Sequence, residues 1–209
     1  MASRLIPLFP LRVVVFPRTP LPLHIFEERY KEMTGNAIRD HSDIGIVLAK
    51  EEGIVNAGCT VRIEKLLHTY PDGRMDLLTR GQDRFEILDL NQEKSYLQAT
   101  VEFFDDDDIA AVPGELRDRA LANYNTLRGL TDMEERGVVD LDDPQLSFQL
   151  AQGLPDLDFL NTLLRTRSEA QRLRELSEFL TQYIPRQKHI VRVRQVAPGN
   201  GFGGKPAGM

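Results

Sequence analysis

The sequence predicts an α+β protein in which a curled sheet of about six strands is followed by a four-helix subdomain. Three observations carry this. Up to Phe104 the apolar residues fall in short β-branched or alternating runs, Tyr70-Pro71-Asp72-Gly73-Arg74 is a strong turn signal, and after Asp105-Asp106-Asp107-Asp108 the apolar period changes from 2 to 3.6. The expected divisions are a β-rich part with one helix over 1–104, a helical part over 105–196, and a disordered Gly/Pro tail over 197–209.

Taken in order, Leu11–Phe16 reads as a strand ending at Pro17, and Leu21–Phe26 as a second extended piece. Pro17, Pro20 and Pro22 forbid a helix between them and place these segments at the rim of a sheet. Glu27–Arg39 is the one helix expected in this half, with Tyr30, Met33, Ala37 and Ile38 on its apolar face, and Ile44–Ala49 is the next strand. In the hairpin that follows, a two-residue loop would set Lys65 against Arg80. A three-residue loop at Pro71-Asp72-Gly73 instead pairs Glu64 with Arg80, His68 with Asp76 and Tyr70 with Arg74, and puts Val61, Ile63, Leu67, Met75 and Leu77 on the other face. The second register is therefore expected. Strands at Arg84–Leu90 and Leu97–Phe104 complete the sheet.

Among the helices, Gly114 to about Arg136 carries Leu116, Ala120, Tyr124, Leu127 and Thr131 on one stripe. Asp143-Pro144 has the pattern of an N-cap and first helical residue, and Pro155 opens a short helix with Leu157, Leu160 and Leu164 inward. Ser168-Glu169-Ala170-Gln171 is a capping box, behind which Ala170, Leu173, Leu176, Leu180, Tyr183 and Ile184 form a stripe. Pro185 is expected to end or kink this last helix, leaving it in two pieces.

Composition is that of a globular protein, 41% apolar and 28% charged. Residues 1–7 lack the apolar core and cleavage site of a secretory signal, no run is long enough to span a bilayer, and the single Cys59 excludes an internal disulfide; a cytoplasmic protein is expected. The net charge of −6 is uneven. Residues 105–164 hold 4 basic and 14 acidic groups, whereas residues 165–209 hold 9 and 3. A uniformly basic nucleic-acid surface is absent, and the arginines after 165 are read as neutralising the acidic block beside them.

Catalytic patterns are wanting. Gly199–Lys205 satisfies G-x-x-x-x-G-K, but Pro206 stands where a Mg²⁺-binding hydroxyl is required and too little chain follows for a helix. There is no G-x-S-x-G, and Cys59 and His68 lie on one predicted strand about 30 Å apart. His24, His41, His68 and His189 include no ligand-spaced pair, and Asp105–Asp108 lacks the glycine and distal glutamate of a calcium loop. No catalytic residue, cofactor or metal is expected. Interaction features are better represented: Phe16, Arg18 and Leu21 on a proline-stiffened loop and Tyr70 and Arg74 at the hairpin tip are the candidate partner-binding residues. The competing reading is that Phe16 and Leu21 fill the barrel mouth while Tyr70 and Arg74 stack on each other.

The segments Leu8-Phe9-Pro10-Leu11-Arg12-Val13-Val14-Val15-Phe16-Pro17 and Pro20-Leu21-Pro22-Leu23-His24-Ile25-Phe26-Glu27-Glu28-Arg29-Tyr30 resemble the opening of the Lon protease N-terminal domain. The likeness continues through Ile44–Val47, Gly58–Val61, Asp72–Arg74 and Gly81–Phe85, with a weaker pattern at Leu163–Arg165 and Arg172-Leu173, and covers about residues 5–185. The resemblance implies a PUA-like β pseudo-barrel followed by a helical bundle, and a stand-alone, non-catalytic module that recognises unfolded or partner polypeptides, possessing neither the ATPase nor the peptidase part of Lon. RNA binding, known among PUA-like barrels, and an unrecognised hydrolase are the alternatives.

Overall fold

The computed structural model describes residues 3–107, 112–130 and 139–196 of the chain. Its strands are β1 (Arg4–Leu11), β2 (Pro20–Ile25), β3 (Ile44–Lys50), β4 (Gly53–Thr69), β5 (Met75–Asn91) and β6 (Gln98–Phe104). Helix α1 (Glu28–Asp40) separates β2 from β3, and α2 (Gly114–Arg128), α3 (Leu146–Ala151), α4 (Leu157–Arg165) and α5 (Glu169–Val196) follow β6. The α+β class and the six strands agree with the sequence reading.

The strands lie in the order β2-β5-β4-β3-β1-β6, and β5 also pairs with β6, so that β5, β4, β3, β1 and β6 are joined in a ring of pairings with β2 appended. Only β1–β3 is parallel. The long β5 makes closure possible. Met75–Arg80 pairs with β2, and Arg84–Asn91 pairs with β6. Two strands expected to be separate are thus one, bent at Gly81, where a Cβ would stand 2.1 Å from the Phe16 carbonyl oxygen.

The first strand lies earlier than expected, at Arg4–Leu11, and Val13–Phe16 is loop. Val15 and Phe16 are apolar because they are packed into the core, and burial does not require pairing. Pro7 and Pro10 are tolerated in β1 because the strand changes partner midway, Arg4–Pro7 facing β6 and Leu8–Leu11 facing β3. β2, with Pro20 and Pro22, is at the open end of the order, the rim position its prolines require.

At the hairpin tip the three-residue loop is present. Tyr70 N–H donates to the Arg74 carbonyl at 2.9 Å, Gly73 has φ +81°, and His68 faces Asp76. Towards the barrel the register shifts twice, so that Arg62 and not Glu64 is opposite Arg80, although the Glu64 and Arg80 side chains still form an ion pair. The extra residues break the predicted separation of faces and leave Leu67 exposed.

Two apolar clusters result. Ile6, Leu8, Val47, Phe85, Ala99 and Val101 form one between the walls of the ring. Phe85 fits because Gly45 and Gly58 lack side chains: a Cβ on Gly58 would lie 2.6 Å from the Phe85 ring and 2.3 Å from the Ile46 carbonyl oxygen. The other cluster runs from the sheet through Tyr30, Met33 and Ala37 of α1 into α2–α5, so sheet and helices share one core. Ile38, expected on the inner face of α1, is exposed and Thr34 is buried instead.

In the helical half, Ala120, Tyr124 and Leu127 are buried on α2, which ends at Arg128; Thr131 lies outside the described residues. α3 starts at Leu146 with Gln145 as its N-cap, two residues later than expected, because the Asp143 carboxylate is bound to the Gln145 N–H in the turn before it. Asp156 caps α4 through the Phe159 N–H, and Ser168 accepts from Gln171 N–H at the start of α5. α5 passes Pro185 without interruption. Pro185 and Thr181 one turn before it are both exposed.

Paired glycine substitutions check this packing. Gly58→Ala is expected to cost roughly 1–3 kcal/mol by forcing the β3 carbonyl and Phe85 aside. Gly35→Ala, on a helix with open space around it, should stabilise by about 0.5–1 kcal/mol. Urea unfolding midpoints moving in opposite directions would agree with the description.

Candidate functional site

Along β2 the side chains alternate. Leu21, Leu23 and Ile25 turn towards the core, whereas Pro20, Pro22, His24 and then Phe26 point outward. Phe26 is 58% exposed, an uncommon position for a ring on a strand-to-helix junction. It borders a groove of about 350 Å³ between the end of β1, β2 and the first turn of α1, lined chiefly by Phe9, Pro10, Leu23, Arg29 and Tyr30. The Phe9 and Tyr30 rings pack at 4.2 Å, and the Arg29 guanidinium lies 4.5 Å from the Tyr30 centroid. The wall is largely apolar and aromatic, and the Arg29 guanidinium at its rim is paired with the Glu27 carboxylate at 2.8 Å.

The hairpin tip adjoins the same surface. The Asp76 carboxylate contacts His24 Nδ1 at 2.6 Å and accepts from the Tyr70 hydroxyl at 2.8 Å; these two bonds hold it below the usual carboxylate range, and the same carboxylate raises the Tyr70 phenol. His24 also stacks towards Phe26, ring centroids 6.0 Å apart. Lys31 of α1 donates to the Asp72 carbonyl at 2.9 Å, tying the tip down.

The five residues singled out from sequence are not brought together. Phe16 is 2% exposed and stacked on Phe148 at 4.7 Å, so it serves the core and is withdrawn as a contact residue. Leu21 faces inward and is half-buried. Arg18, held at φ +63°, is exposed but joined to Asp143 at 2.8 Å and Gln145 at 2.9 Å, bridging sheet and helices. Tyr70 and Arg74 do stack, the guanidinium 4.8 Å from the ring, at the edge of the surface just described. Phe26 and His24 were missed. Counting alternate residues from Leu21 through Ile25 puts both on the outer face and would have found them.

A larger cleft of about 1150 Å³ lies between sheet and helices, with Arg18, Gln82, Phe104, Leu146 and Leu173 among its walls. Beneath it is a buried charge network. Arg84 of β5 and Arg172 of α5, with side chains 1% and 0% exposed, share the Asp106 carboxylate at 2.6 Å. Arg84 also donates to the Leu164 and Thr166 carbonyls. Glu169 completes the network, accepting from Arg172 at 2.8 Å and from the Ser147 N–H and hydroxyl at 2.8 and 2.6 Å. Burial works to raise Asp106, but Arg172 and Arg84 outweigh it and hold the carboxyl below its ordinary value. For Glu169 burial prevails over Ser147 and Arg172, and its carboxyl is raised. Each charged group is engaged with another, and the network joins the sheet to the helices. Cys59 is buried and its thiol pushed up to about 12 by desolvation, which denies it the thiolate a nucleophile needs. Among the described residues no group of three His, Cys, Asp or Glu side chains is placed to hold a metal, and no helix is long and apolar enough to cross a membrane.

The comparisons with known proteins are consistent with this geometry. A family model described as the ATP-dependent protease La (LON) substrate-binding domain matches residues 5–182. A Lon protease of Lawsonia intracellularis is 30% identical over 92% of this chain and 24% of its own length, and one of Anaeromyxobacter dehalogenans is 34% identical over 48% of this chain and 13% of its own. The chain thus spans a quarter or less of these curated relatives. A crystal structure of a Lon N-terminal domain protein from Xanthomonas campestris superposes with a TM-score of 0.68 at 25% identity, covering 83% of this chain and 96% of that one. The N-terminal domain of a Mycobacterium avium complex Lon protease, at 16% identity, superposes with a TM-score of 0.59 over 85% of this chain and 98% of its own, and shows the shared fold.

The network makes a pH-dependent prediction. Asp106, with its lowered folded-state pKa, contributes stability that is complete above the ordinary carboxylate range near 4 and is lost as pH falls through the depressed value; Glu169, raised, acts in the opposite sense. Asp106→Ala should cost about 3 kcal/mol at neutral pH by removing the carboxylate that Arg84 and Arg172 share, leaving Arg172 with Glu169 and Arg84 with the Leu164 and Thr166 carbonyls. It should also flatten the acid limb of a stability–pH curve measured by urea unfolding.

Proposed function

The chain belongs to the family of ATP-dependent protease La (LON) substrate-binding domains, and from that premise we propose that it is a non-catalytic recognition module. It grips unfolded or exposed apolar segments of other polypeptides, acting in the cytoplasm as an adaptor in proteolysis or quality control. The observation that carries the reading is the groove beside β2, a largely apolar and aromatic recess with an exposed phenylalanine at its lip and an Arg29–Glu27 ion pair at its rim. Such a surface has affinity for apolar side chains in general and little means of reading one sequence, which suits clients related only by being unfolded. Prolines at 20 and 22 support the role physically: they stiffen the wall and remove the backbone donors through which an edge strand would otherwise aggregate with its clients. Tyr70 and Arg74 extend the surface towards the hairpin tip, offering a ring and a guanidinium that add polar contacts at the rim.

Phe26→Asp tests this, since the exposed ring can be replaced without disturbing the core. Titration of the full chain against a permanently unfolded protein, such as reduced and carboxymethylated α-lactalbumin, is expected to show binding that native α-lactalbumin does not. Phe26→Asp should weaken it about tenfold, corresponding to roughly 1.4 kcal/mol. The reading is lost if the unaltered chain has no affinity for unfolded polypeptides, or if it hydrolyses them unaided.

A further inference from the structure

Resting on the client-binding role of the groove beside β2, we propose that the open edge of this strand takes the client's backbone by strand addition. An extended segment with apolar residues at alternate positions runs antiparallel to β2 and donates its N–H groups to the carbonyls of Pro20, Pro22 and His24. β2 ends the strand order with β5 on one side of it. No β5 residue lines the groove, which therefore lies on the other, open side.

The register fixes which backbone groups face that side. In an antiparallel pair, successive residues turn their N–H and C=O alternately towards the partner and away from it. β2 and β5 pair from Pro20 with Arg80, through Leu21 with Thr79, to Ile25 with Met75. Just before β2, the Thr19 carbonyl accepts the Gly81 N–H at 2.9 Å, so Thr19 is turned towards β5. Counting by twos, Leu21, Leu23 and Ile25 are turned the same way, and the Thr79 hydroxyl reaches the Leu21 carbonyl at 2.8 Å from that side. Pro20, Pro22 and His24 are therefore turned to the open edge. Proline fits only there, because it has no N–H to give to β5. The three positions present three carbonyls but a single N–H, that of His24.

A row of acceptors selects a row of donors. Carbonyls on alternate residues of a strand are about 6.8 Å apart, which is the spacing of every second amide in an extended polypeptide. A folded client has those amides engaged internally, whereas an unfolded one has them free. Client residues between the donating ones project to the same face as Leu21, Leu23 and Ile25, where Phe9 and Tyr30 wall the groove, and so must be apolar. Opposite the prolines a client carbonyl gains no partner from β2, so the ladder stays incomplete. Such pairing holds a client reversibly, whereas a complete ladder tends towards aggregation. A second open edge, Ile63–Thr69 of β4, is broken by two register shifts and carries Glu64, Lys65 and His68, features that oppose strand addition.

The test uses the full chain and a peptide of about ten residues in which leucine alternates with threonine or lysine, a length that covers β2. It is made unmodified, with N-methyl groups on the amides of the polar residues, and with the same number on the amides of the leucines. The two methylated forms have one composition and differ only in which edge of the strand is blocked. The leucine-methylated form is expected to bind like the unmodified peptide, and the form methylated at polar residues at least about tenfold more weakly. Amide exchange in the unaltered chain locates the pairing, with slowing expected at the His24 N–H when unmodified peptide is added. Equal binding of the two methylated forms, the reverse order that parallel pairing would give, unchanged exchange at His24, or slowing at 63–69 in its place would each overturn strand addition while leaving the groove as a client site. No binding of the unmodified peptide overturns it too, and if unfolded α-lactalbumin is also left unbound, the client-binding role falls with it.

Discussion

Two guanidiniums, those of Arg84 and Arg172, are sealed from water at the junction of sheet and helices, and much of the molecule is arranged so that they can be. A buried cation without a counterion is prohibitively costly, so carboxylates must be brought to it. Asp106 comes from the chain leaving β6, Glu169 from the first turn of α5, and carbonyls from the end of α4. Elements distant in sequence are fixed together by that requirement, and the phenyl rings of Phe104 and Phe148 pack against the same guanidiniums. The network adds direction to a shared apolar core that has little of its own.

With the halves fixed, the outer surface can be specialised. Phe16 and Phe26 illustrate the division. Both lie in the proline-rich opening of the chain, both are aromatic, and their local composition is alike. One is stacked on Phe148 beneath the loop, where it helps to close the sheet against α3; the other stands at the lip of a groove. The family model that matches this chain is named for substrate binding, and the groove beside β2 presents largely apolar and aromatic side chains.

Much of the architecture was legible in the sequence because it rests on local rules. The three-residue loop at Pro71-Asp72-Gly73 needs only Pro71 and a glycine able to take positive φ, and α1 follows from an apolar stripe ending before a strand of Ile and Val. The rim position of β2 follows from its prolines. The candidate surface was legible only in part. Tyr70 and Arg74, which flank that turn, lie at its edge. Phe26 was passed over because an aromatic next to an apolar strand looks like core until the alternation is counted to its end.

The sequence by itself determined the order and kind of the elements, the turn at the hairpin tip and the family, since each depends on residues within a few positions of one another. Tertiary structure alone decided where β1 begins, how the β4–β5 register slips, which phenylalanine is buried, and which of the arginines are neutralised. Those outcomes depend on neighbours dozens of residues away: Phe148 for Phe16, Asp106 for Arg172, β6 for the first half of β1. Burial and ion pairing are properties of the assembled volume, and no short window of sequence contains them.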